Sequence, residues 1–80
     1  MNFKGENKME DYKKRMQLEY SHLTDKIKKL RLIIAKANAG TLDFELNCPL
    51  ELLKQQLYHM EFYQAILEAR AEIENLTLSD

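Results

Sequence analysis

Tryptophan is absent from this chain of 80 residues, cysteine and proline occur once each, and glycine occurs twice. Each shortage excludes something. Cys48 has no partner for an internal disulfide, and Cys48, His22 and His59 stand apart rather than at metal-ligand spacings, so no metal site is expected. Two glycines cannot build a phosphate-cradling loop, and there is no P-loop, dinucleotide fingerprint, nucleophile elbow or kinase signature. The chain therefore reads as neither an enzyme nor a cofactor carrier. No apolar run exceeds four residues, at positions 32–35, which leaves no membrane span or secretory core and no membrane partner. The lone thiol suits a reducing cytoplasm. A chain of this size buries only about 60% of its unfolded surface. With disulfides and metals excluded, self-association is the device left to complete a core.

What is present is charge, unevenly divided. Residues 1–36 hold ten basic and five acidic residues, a net of +5, whereas residues 37–80 hold two and eight, a net of -6. A basic helix lying against an acidic one explains the split, and so does a basic arm for nucleic acid. A duplex surface is disfavoured because the acidic half would repel phosphates nearby.

Residues 1–8 (MNFKGENK) have no apolar period and read either as a disordered tail or as a translated leader. Codons for Lys4-Gly5-Glu6 can carry a purine-rich ribosome-binding sequence ahead of a start at Met9. A single helical-hairpin domain is expected over residues 9–80. From Met16 the apolar positions Met16, Tyr20, Leu23, Ile27, Leu30, Ile34 and Ala37 alternate steps of four and three, predicting a helix over about residues 9–39 that ends at Gly40. Residues 40–48 form an extended joint with Leu42, Phe44 and Leu46 on one surface. A second helix spans about residues 49–76, with Pro49 at its first position, Cys48 or Asn47 as N-cap and Glu51 completing a capping box. The helix dipole activates a thiol at such a cap, but no base is placed beside Cys48, which reads rather as a small packed residue.

The second helix has two apolar faces. Leu50, Leu53, Leu57, Met60, Leu67 and Ala71 fall on one side, and Tyr58, Phe62, Ile66, Ala69, Ile73 and Leu76 on the other. One face packs on the first helix as an antiparallel hairpin. The other, chiefly Tyr58, Phe62, Ile66, Ile73 and Leu76, is the expected oligomer interface, so the fold class is all-α, a helical hairpin assembling into a homo-oligomeric bundle.

Between those faces His59, Tyr63 and Arg70 form a polar strip that suits phosphate binding and base stacking. The competing account is an Arg70–Glu74 pair one turn apart with a surface tyrosine. On the first helix Lys13 and Arg31 lie on one flank of the seam and Arg15 and Lys26 on the other, where they can line a cleft between subunits.

The segments at residues 9–16, 39–53 (AGTLDFELNCPLELL) and 66–74 resemble a family of small helical proteins of phages and prophages, related to a short open reading frame of crAss-like phages. The resemblance spans residues 9–76 and implies a fold and a genomic setting. By analogy with small oligomeric phage proteins of this type, it points to an anti-defence sponge in the host cytoplasm. Such a sponge would sequester a cyclic-dinucleotide or ADP-ribose signal, with Arg70 and Arg31 on phosphate, Tyr63 and Tyr20 stacking a base and His59 hydrogen-bonding. The alternatives are an anti-CRISPR-like inhibitor that binds a host protein, and a structural bundle without a ligand.

Overall fold

The computed structural model describes the backbone of residues 3–78 and the side chains of residues 11–78. Two helices, α1 (Phe3–Ala39) and α2 (Leu50–Glu74), pack against each other, and no strand occurs among the described residues. The class is all-α, as the two apolar periods predict.

The seam of α1 faces α2 along its length. Met16, Leu23, Ile27, Leu30 and Ile34 are buried, and Tyr20 and Ala37 are half-buried. From α2, Leu67 and Ala71 close over Met16, Leu23 and Ile27, with Leu57 and Met60 packed against that cluster. Ile27 and Leu67 are essentially inaccessible to solvent. Burying a side chain of this size contributes roughly 1.5–3 kcal/mol. Thr24–Gln64 and Tyr20–Glu68 hydrogen bonds fix the antiparallel register.

Both helices end in the same way. Gly40 (φ 76°) and Asn75 (φ 61°) are left-handed. The amide of Thr41 donates to the Lys36 carbonyl at 2.9 Å and that of Gly40 to Ala37 at 3.2 Å. Leu76 donates to Ala71 at 2.8 Å and Asn75 to Glu72 at 3.4 Å. These pairs are Schellman caps, which satisfy carbonyls that the last helical turn leaves without a partner.

Four details differ from the sequence reading. The helix α1 starts at Phe3 and not near Met9; Met1 and Asn2 of the expected tail or leader lie outside the described residues. A helix already nucleated extends without an apolar face at low cost. The N-cap of α2 is Pro49, with extended backbone and no side-chain cap bond. That shift moves Glu51 out of the capping-box position, and proline has no N–H for it to reach. In the joint, Leu42 and Leu46 are half-buried while Phe44 is 54% exposed, because bends at residues 43–44 and 47–48 break the extended alternation. Leu76 leaves the outer face of α2, since the turn at Asn75 folds it back onto the intramolecular core.

Candidate functional site

Two polar flanks border the apolar seam, and the expected site residues divide between them. On one flank Tyr20 donates its hydroxyl hydrogen to Glu68 Oε2 at 2.6 Å, and Arg31 donates through Nε to Glu61 Oε2 at 2.9 Å with Nη2 on the same oxygen. The Arg31–Glu61 pair joins the basic helix to the acidic one. On the other flank Arg70 lies 5.7 Å from the centroid of the Tyr12 ring and donates to the Tyr12 hydroxyl. Tyr12 in turn donates to Glu74 Oε2 at 3.2 Å, and Arg70 Nε stands 3.7 Å from the same oxygen. The Arg70–Glu74 pairing is therefore realised. His59 is exposed on α2, one turn before Tyr63.

The structure thus does not gather Arg70, Tyr63, His59, Arg31 and Tyr20 in one place. Arg31 and Tyr20 occupy one flank, Arg70, Tyr63 and His59 the other, and both arginines are engaged by carboxylates within the hairpin.

Tyr63 instead joins residues of α1 around a groove of about 420 Å³. Its walls are Arg15, Leu18, Glu19, His22, Leu23 and Lys26. The volume lies within the usual range of small-molecule sites. The spacing 15, 19, 22, 26 is a helical stripe, so α1 presents four polar groups to one side while Tyr63 enters from α2. Leu23, from the seam, supplies an apolar floor. Neither Arg15 nor Lys26 has an ion-pair partner among the described residues, whereas Lys29 is bound to Asp25 and Lys54 to Glu51. Glu19 accepts a hydrogen bond from the Tyr63 hydroxyl. That bond first, then burial and the Glu19 charge, raise the Tyr63 pKa above the ordinary tyrosine value of 10.0, and Arg70 opposes the shift.

The arrangement suits an elongated anionic molecule with a planar part. Arg15 and Lys26 are three helical turns apart, roughly 16 Å along the axis, with an aromatic ring and an imidazole between them. The Glu19 carboxylate sits mid-groove, where it repels a phosphate and directs anionic groups toward the two ends. Spacing along α1 exposes the stripe that holds Arg15, His22 and Lys26; what spacing does not reveal is that the hairpin register brings Tyr63 opposite it. No cluster of three or more His, Cys, Asp or Glu suited to a metal ion occurs among the described residues, and no described helix is long and apolar enough to cross a membrane.

A family profile described as Sequestin matches residues 10–73, which take in most of α1 and nearly all of α2. No curated protein and no solved structure matches the chain.

Proposed function

The chain belongs to the Sequestin family, and we propose that it binds and sequesters a phosphate-bearing nucleotide signal, of cyclic-dinucleotide or ADP-ribose type, without altering it. The family name supports holding a ligand over transforming one. The observation that carries the reading is the groove in which Arg15 and Lys26 flank Tyr63 and His22 above an apolar floor. Two cations without an ion-pair partner among the described residues are available for phosphate, and the ring offers a stacking surface for a base. Arg31 and Arg70 hold the hairpin together in this reading, so the phosphate clamps are Arg15 and Lys26. The resemblance to phage and prophage proteins supports a role in counter-defence within the host cytoplasm. The uncovered face of α2 supports a homo-oligomeric sponge.

Calorimetry with a panel of cyclic dinucleotides and cyclic ADP-ribose isomers tests this, followed by heat release and chromatography of the ligand. The expected result is binding weakened at least tenfold by Arg15→Ala and by Lys26→Ala, with the ligand recovered unchanged. Binding by none of the panel, or recovery of an altered nucleotide, would overturn it.

A second reading, an inhibitor that docks on a host defence protein, is favoured by the exposed Tyr58, Phe62, Ile66 and Ile73. A host partner recovered in a pull-down, lost with Phe62→Glu and unaffected by Arg15→Ala and Lys26→Ala, would select it over the sponge.

A further inference from the structure

The outer face of α2 has an order that specifies its own partner. Tyr58, Phe62, Ile66 and Ile73 are 72%, 68%, 41% and 83% exposed, and Gln55 and Ala69 beside them are exposed as well. Positions 55, 58, 62, 66 and 69 follow steps of three, four, four and three. At about 100° per residue these positions and Ile73 stay within about 45° of one line along the helix. The spacing is the same read from either end, with Phe62 at the centre. Such a stripe is complementary to itself when a second copy is laid across it in the opposite direction.

In that register Phe62 meets its own copy, Tyr58 meets the partner's Ile66, and Gln55 meets the partner's Ala69. Ile73 reaches the partner's Leu52, which is 54% exposed. Charge accords with this direction. Lys54 falls between the partner's Glu68 and the partner's Glu72 on the same flank, where the pairing is attractive. A large apolar stripe bordered by charge is also what this small hairpin needs covered, since its own core engages only one side of α2.

We infer that a second copy of the chain docks antiparallel on α2 about a two-fold axis at Phe62, which turns both Tyr63-lined grooves to a common face of the dimer. The axis preserves the flank on which Tyr63 lies, so the two Tyr63 side chains stand on either side of it. The two helix axes are about 8–10 Å apart. Arg15 and Lys26 of each copy lie outward of these rings. Two grooves become one wide basic basin with an aromatic centre. This inference rests on the homo-oligomeric reading proposed above.

Cysteine cross-linking in a Cys48→Ser background tests it. Phe62→Cys is expected to form a disulfide-linked dimer under mild oxidation. Ile73→Cys is expected not to, because its two copies lie roughly 33 Å apart along the helices, far beyond disulfide reach. To keep Phe62 in place, a mixture of Gln55→Cys and Ala69→Cys chains is expected to cross-link while neither does so alone. A dimer by light scattering that cross-links through Ile73→Cys, or through neither Phe62→Cys nor the mixed pair, would overturn the antiparallel geometry and leave the homo-oligomer standing. A folded monomer at micromolar concentration would overturn both, and capture of a host protein on this face would then identify its occupant.

Discussion

Tyr63 of α2 donates its hydroxyl hydrogen bond to Glu19 of α1, and both residues line the groove. The bond ties the two helices at the position where the groove needs its aromatic wall. It also requires the phenol to stay protonated, because a phenolate would face the carboxylate with like charge. The hydrogen bond, burial and the Glu19 charge therefore raise the Tyr63 pKa. A folded-state pKa raised above the unfolded one gives stability that is complete below the ordinary tyrosine value and lost as pH rises through the folded value. The expected outcome is a tyrosine component titrating above the ordinary value by ultraviolet absorbance that is lost in Tyr63→Phe. Stability should fall from about pH 10 upward, and this part of the fall should be absent in the variant. A Tyr63 that titrates at or below the ordinary value contradicts the assignment.

Thr24 is the buried polar residue of the seam, and Gln64 Nε2 donates to its hydroxyl at 2.9 Å. Removing one partner of a buried hydrogen bond costs about 1–3 kcal/mol, while replacing both by apolar groups of like shape can be nearly neutral. Thr24→Val and Gln64→Leu should each lower stability by about 1 kcal/mol. The double variant should lie closer to the parent than the sum of the two. Urea unfolding of the four chains gives the coupling directly, and strict additivity would mean that the bond contributes nothing to the fold.

The hairpin was legible in the sequence because its cause is local. The alternating steps from Met16 to Ala37 name the α1 seam, and the opposed faces of α2 separate Leu67 and Ala71, which are buried, from Tyr58, Phe62, Ile66 and Ile73, which are not. The site was legible only in part. The position of a residue on its own helix does not reveal which carboxylate waits across the interface, and that depends on the register set by residues 40–49. Arg31 therefore looks available on a helical projection and is engaged by Glu61 across the hairpin, whereas the Arg70–Glu74 pair, one turn apart on α2, is legible from spacing alone. Arg15, His22 and Lys26 share a stripe in the sequence, but Tyr63 completes the groove only when α2 returns alongside.

The two faces of α2 should respond differently to truncation. Leu67 is fully buried in the hairpin core, and removing such a side chain costs about 2–5 kcal/mol. For a chain of this size that approaches the whole of its stability, so Leu67→Ala should lose most helical circular dichroism near room temperature. Ile73 makes no comparable contact within the chain, and Ile73→Ala should keep its helical signal. Its thermal midpoint should depend on protein concentration no more than that of the parent, and less if the outer face is shared between copies. Equal losses in the two variants would show that the core is not where Leu67 lies.

Gly40 and Asn75 hold the same left-handed cap position with different residues, and their substitutions should differ in sign. A Cβ built on Gly40 meets nothing within 4 Å, so the cost of Gly40→Ala comes from its φ of 76° alone. That cost is roughly 1–2 kcal/mol. Asn75, at φ 61°, already tolerates this region less well than glycine would. Asn75→Gly should leave stability unchanged or raise it slightly, while Asn75→Ala should lower it and loosen the return of Leu76 to the core. Thermal unfolding of the three variants decides between this account and a side-chain role for Asn75. If Asn75→Gly were as damaging as Asn75→Ala, the amide itself, and not its left-handed backbone, would be what the turn requires.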